Sequence, residues 1–157
     1  MPSFEVDFIK SKGAPIKYKD LELIKTDRIS VQKNFSGTLR LISTNSDWRQ
    51  AVCLRVLKGR LEIDPKDKDE GEFLILWENF LGKGIHKFEG STNDSKLFIY
   101  NAWEEPAWTG IPFTNYWQDG AAMIVEVDGN TRRYRCNDGH PDENFDDIVY
   151  EITPIKG

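Results

Sequence analysis

Apolar residues recur at every second position along much of the chain: Phe4, Val6 and Phe8; Leu39 and Leu41; Val52, Leu54 and Val56; Phe73, Ile75 and Trp77; Ile148, Tyr150 and Ile152. This period sends alternate side chains to opposite faces of an extended backbone and predicts half-buried strands. Turn formers punctuate the runs at Lys12-Gly13, Ser36-Gly37, Lys58-Gly59, Gly82-Lys83-Gly84 and Asp128-Gly129-Asn130. The sharpest hairpin signal joins 122–127 to 131–136 through Asp128-Gly129-Asn130, with Met123, Val125 and Val127 expected on one face with Tyr134 and Cys136. No apolar stripe holds helical spacing over three turns, so one short helix, over 18–26, is the most the pattern allows. Strands at this density predict an all-β fold, a sandwich or a barrel. Of these, a single antiparallel β-sandwich of jelly-roll or lectin-like form is expected, with residues 1–157 as one domain.

Length and composition support a chain that folds without staples. At 157 residues it buries roughly two-thirds of its unfolded surface, and five Trp, nine Phe and five Tyr supply a core. The formal net charge of −5 repels a phosphate backbone, and the best basic run, Arg132-Arg133-Tyr134-Arg135, is split between two strand faces. Nucleic acid is therefore not an expected partner. Met1-Pro2-Ser3-Phe4-Glu5-Val6-Asp7 carries neither the basic nor the apolar part of a signal peptide, and no apolar run reaches the roughly 20 residues of a spanning helix. The expectation is a soluble protein, cytoplasmic or secreted by a non-Sec route. Cys53 and Cys136 lie in strand-like runs without metal or redox spacing. They read as two buried thiols, or as a disulfide if their strands face each other.

Chemistry is concentrated in two long connections. In the first, 137–147, the run Asn137-Asp138-Gly139-His140-Pro141-Asp142-Glu143-Asn144-Phe145-Asp146-Asp147 is rich in hard oxygen donors, the kind calcium takes six to eight of. Asp142-x-Asn144-x-Asp146 copies the opening of an EF-hand loop, but Asp147 stands where that loop needs Gly and Thr153 where it needs Glu. An inter-strand calcium loop, with Asp138, Asp142, Asn144, Asp146 and Asp147 as ligands, competes with a solvated turn held by local backbone hydrogen bonds. A second acidic stretch, 64–71, interleaves lysines that compete with a metal and reads as a solvated hairpin loop.

Asn137-Asp138 followed by Asp142-Glu143-Asn144 and a closing strand resembles the last loop of the calcium-dependent galactose-binding bacterial lectins, where an Asn-Asp pair and a later Asn pair hold the ion. The likeness covers this loop alone. The present sequence has Asp146-Asp147 in place of the paired Asn and lacks the small residues that follow it. The resemblance implies a β-sandwich, a calcium ion in the loop and a sugar ligand.

The second connection, 101–120, carries Trp103, Trp108, Phe113, Tyr116 and Trp117 among Pro106, Gly110, Pro112 and Gly120. Flat rings suit the apolar faces of sugars, and the polar neighbours Asn101, Glu104, Glu105, Asn115, Gln118 and Asp119 suit hydroxyls. The same rings also suit a lipid headgroup boundary, a protein partner, or the capped end of a core.

No nucleophile elbow, phosphate loop, dinucleotide fingerprint or metal-catalytic histidine spacing is present, and His86 and His140 are the only histidines. The expected function is a non-catalytic, lectin-like module binding a glycan or glycoconjugate through Trp103, Glu104, Trp108, Asn115, Tyr116 and Trp117, with calcium organising the acidic loop. The alternative is a sandwich that docks on a lipid surface or protein partner as a toxin or adhesion component. A third reading is a glycosidase-like enzyme using Glu104 and Glu105. Pairing of sandwich edges also allows a homodimer.

Overall fold

The computed structural model describes residues 5–12, 14–63, 70–105, 113–115, 122–138 and 145–155. The chain opens with helix α1 (Glu5–Lys10) and the short pair β1 (Ile16–Tyr18) and β2 (Leu21–Leu23). It continues through β3 (Asp27–Ser30), β4 (Asn34–Thr44), β5 (Arg49–Arg55), β6 (Gly59–Ile63), β7 (Glu70–Gly71) and β8 (Phe73–Trp77). Helix α2 (Glu78–Leu81) precedes β9 (Ile85–Thr92), β10 (Lys96–Glu105), β11 (Phe113–Asn115), β12 (Met123–Asp128), β13 (Thr131–Cys136) and β14 (Ile148–Ile155).

Apart from the β1–β2 pair, the strands form two antiparallel sheets. The larger runs β12-β13-β14-β4-β9-β6-β7; the smaller runs β11-β10-β5-β8, with β3 also paired to β10. A shared core lies between them, with Leu39, Phe88, Tyr134, Cys136, Ile148, Tyr150 and Ile152 from the large sheet meeting Val52, Leu54, Leu74, Leu76 and Ile99 from the small one. The fold is thus the all-β sandwich that the alternation implied. No described helix is long and apolar enough to cross a membrane.

The predicted hairpin is present. Met123 pairs with Cys136 and Val125 with Tyr134, while Gly129 takes the positive φ of +63° that the tight turn requires. Along β12, burial fades from Met123 through Val125 to the exposed Val127, as the strand runs off the core.

Three expectations are corrected. The strand expected through Phe4, Val6 and Phe8 is replaced over Glu5–Lys10 by α1, with Phe4 outside the described residues; Phe8 docks on Leu23, Ala122 and Phe145 in a second cluster. The short helix that the pattern allowed over 18–26 does not form: Ile16–Tyr18 and Leu21–Leu23 pair as a tight hairpin, with Lys19 and Asp20 both at positive φ. In β8 the buried side chains are Leu74 and Leu76, while Phe73, Ile75 and Trp77 lie half-buried on the outer face. Every residue of that strand is apolar, so periodicity alone had no means of choosing a face.

Cys53 and Cys136 are free and buried, in different sheets. Burial pushes both thiols well above their usual range, so they stay protonated and unreactive at neutral pH.

Candidate functional site

Both chemically rich connections leave from one end of the sandwich. β10 enters the aromatic connection through Asn101, Ala102, Trp103, Glu104 and Glu105, and β13 enters the acidic one through Cys136, Asn137 and Asp138. The two strands lie in different sheets, so something must join them across the gap.

Two buried carboxamides do so. Gln50 of β5 is the register partner of Trp103, and Asn101 is the partner of Val52, so all four point into the sandwich. Gln50 Nε2 donates to Asp138 Oδ2 at 2.9 Å and to the Trp48 carbonyl at 3.1 Å. Asn101 Nδ2 donates to the Asn137 carbonyl at 3.0 Å. Each contact ties the small sheet to the first residues of the acidic loop.

The turn between β4 and β5 completes the clamp. Ser46 Oγ donates to Asp138 Oδ2 at 2.7 Å and accepts from the Trp48 N–H at 3.1 Å. The Asn45 N–H reaches the Asp147 carbonyl at 3.1 Å, and Asn45 Nδ2 reaches Asp146 Oδ2 at 2.8 Å. The loop also closes on itself: the Asp138 N–H donates to Asp147 Oδ2 at 2.9 Å, and the Phe145 N–H donates to Asn137 Oδ1 at 2.9 Å. Phe145 has φ of +52°, a costly region for a large L residue. Its 1 % exposure and its bond to Asn137 hold it there.

At its described ends, then, the acidic loop is an ordered, buried structure. Asn137 and Asp138 are each 1 % exposed and Asp147 is 5 % exposed. Of the expected metal ligands, Asp138 and Asp147 meet through the Asp138 N–H, Asp146 turns to Asn45, and Asp142 and Asn144 lie outside the described residues. Among the described residues alone, no group of three His, Cys, Asp or Glu side chains forms a ready metal cage.

Whether the local chemistry fits a hard cation is tested by the neighbouring oxygens. Gln50 Oε1 and Asn101 Oδ1 are buried and accept no hydrogen bond among the described residues. Buried acceptors are almost always satisfied by protein, water or an ion, so two orphaned oxygens beside a carboxylate-rich loop fit a cation that prefers oxygen.

The aromatic connection divides differently. Trp103 is fully buried, which corrects its expected role as a surface ring: it is the largest buried side chain at this end. Glu104 points to the opposite face, where its Oε2 lies 3.5 Å from Arg49 Nη1. Glu105 follows it at the end of β10. Asn115 is the β11 partner of Trp103. Trp108, Tyr116 and Trp117 lie outside the described residues.

Further support comes from α2. Glu78 accepts from the Gln50 N–H at 2.8 Å and from Thr44 Oγ1 at 3.2 Å, bracing the start of β5. Arg49 lies over the Trp77 ring at 4.3 Å and donates to Asn79 Oδ1 at 2.7 Å. Asn45, Ser46 and Gln50 were not singled out by the sequence reading, and Asn101 was expected to face sugar hydroxyls, whereas it is fully buried between the sheets. Two of them left a readable mark, because Gln50 and Asn101 interrupt otherwise apolar inward rows, Gln50-x-Val52-x-Leu54 and Leu97-x-Ile99-x-Asn101.

Set beside known proteins, the chain matches no family model, no curated protein and no solved structure.

Proposed function

We propose that the protein is a non-catalytic carbohydrate-binding module whose site lies at the end of the sandwich where the acidic and aromatic connections depart. The observation that carries the reading is the clamp formed by Gln50–Asp138 and Asn101–Asn137, which joins the bases of the two connections across the sheets. A site made of loops on a rigid frame loses little ordering entropy when ligand arrives.

Calcium is proposed as the organiser of the acidic loop, held by Asp138, Asp142, Asn144, Asp146 and Asp147. The all-oxygen donor set and the orphaned oxygens of Gln50 and Asn101 support it. When bound, the ion supplies charge neutralisation for the loop and open positions for sugar hydroxyls. The residues offered to the sugar are Trp108, Tyr116 and Trp117 with Glu104 and Asn115, while the buried Trp103 belongs to the core.

Asp146→Asn tests the assignment, because Asn45 retains an acceptor and the buried clamp is untouched. Calcium affinity, read by titration calorimetry, and glycan affinity are both expected to fall. Unchanged calcium affinity would remove Asp146 from the ligand set; unchanged glycan binding with weakened calcium would separate the ion from recognition.

A further inference from the structure

A second concave site lies on the outer face of the small sheet, toward the opposite end of β10. Phe98 is the register partner of Arg28 on β3 and of Arg55 on β5, so a guanidinium flanks the ring on either side of the central strand. The Arg28 guanidinium carbon sits 5.8 Å from the Phe98 ring centre. Tyr100, one step along the same face, stacks with Phe73 at 6.1 Å, and Phe73 is the β8 partner of Arg55. Helix α1 and the residues after it form the facing wall.

The resulting cavity is about 490 Å³, lined by Lys12, Lys25, Arg28 and Arg55 together with Phe98 and Tyr100. No carboxylate is among the described residues that line it. Neither Arg28 nor Arg55 forms an ion pair among the described residues. In a chain of net charge −5, positive potential is therefore gathered into one hollow whose floor is aromatic.

That volume suits a small organic ligand rather than a simple anion. Flanking guanidiniums favour phosphoryl oxygens, which they engage with paired N–H donors, and aromatic walls favour a flat group beside the anion. We propose that this cleft binds a small phosphorylated ligand carrying a flat ring, of the nucleoside diphosphate class, with Arg28 and Arg55 on the phosphates and Phe98 and Tyr100 against the ring. From Phe98 to Glu104 along β10 is about 20 Å at the usual strand rise, so the site is separate from the glycan site proposed above and independent of it.

The test is titration calorimetry of the full chain with ADP, adenosine and inorganic pyrophosphate at low and moderate salt. The arms are the unaltered protein, Arg28→Gln, Arg55→Gln and, as a charge-matched control on an exposed turn, Lys83→Gln. ADP is expected to bind more tightly than either fragment, more weakly as salt rises, and roughly tenfold more weakly in each arginine variant, with Lys83→Gln unchanged. Equal affinity for ADP and pyrophosphate would overturn the role of the rings. No saturable ADP binding, or an equal loss in Lys83→Gln, would overturn the site itself.

Discussion

Gln50 Nε2 donates to Asp138 Oδ2 at 2.9 Å, and the same Gln50 is the strand partner of Trp103. One side chain thus fastens the strand leading into the aromatic connection to the first carboxylate of the acidic one. Asp138→Ala would strip the acceptor from both Gln50 and Ser46 in a buried setting, and should lower stability by about 3 kcal/mol. Asp146→Ala, which loses one exposed bond to Asn45, should cost under about 1 kcal/mol. Urea denaturation of the two variants reads the difference; equal losses would mean that the clamp contributes nothing special.

A second contrast lies within one stacked pair. Tyr134 and Tyr150 are register partners whose rings lie 5.0 Å apart, both fully buried. The Tyr134 hydroxyl donates to Asp27 Oδ2 at 2.6 Å, and Arg132 Nη2 pairs with the same oxygen at 2.8 Å. Among the described residues the Tyr150 hydroxyl meets only the Cys136 thiol, a weak hydrogen-bonding group. Tyr134→Phe should therefore destabilise by about 2 kcal/mol, whereas Tyr150→Phe, which gives up only a weak thiol contact, should change stability by under about 1 kcal/mol. Thermal unfolding of both variants checks this, and a comparable loss in each would contradict it.

Alkali should unfold the protein steeply. Burial raises the Cys53, Cys136, Tyr134 and Tyr150 values in the folded chain, so their contribution is complete below the unfolded values and is lost as pH climbs past them. The unfolded chain begins releasing thiol protons near pH 8.5 and phenol protons near pH 10, each group removing about 1.4 kcal/mol per pH unit thereafter. Stability measured from pH 8 to 10 should fall, and the slope should flatten in the Cys53→Ala/Cys136→Ala double variant. An unchanged slope would show that the thiols do not drive the loss.

Sheet packing gives a sharper test of backbone proximity. A Cβ on Gly59 would collide with the Ser91 carbonyl, which is backbone and has little room to yield. Gly129→Ala meets nothing within 4 Å and strains only the turn. The first substitution should cost about 3 kcal/mol by overpacking, the second about 1 kcal/mol from its positive φ. Reversal of that order in denaturant melts would contradict the close approach of β6 to β9.

Much of this fold was legible in the alternation, because a sheet with one buried face writes its period into the chain. The β12–β13 hairpin was the clearest case, with both its turn and its paired faces read correctly. The outward side of β8 was not legible, since an all-apolar strand carries no face signal. Nor was α1, where a run of only three apolar positions fits two periods.

For the site, the acidic loop was visible through its composition, but its buried ends depend on Asn45, Ser46, Gln50 and Asn101, which reach it from distant parts of the chain. Arg132 likewise read only as part of a basic run split between two strand faces, whereas it pairs with Asp27, a partner 105 positions away. The cationic cleft was invisible for the same reason: Arg28 and Arg55 become neighbours only through their shared pairing with Phe98.

Whether the joined loops bind sugar is read directly by a broad glycan array probed with the full chain in calcium and again with chelator. Selective binding that the chelator abolishes is the predicted result. Absence of binding in both conditions would contradict the glycan reading and favour a lipid or protein contact for the same loops. Binding indifferent to the chelator would retain the aromatic platform and contradict the role given to calcium.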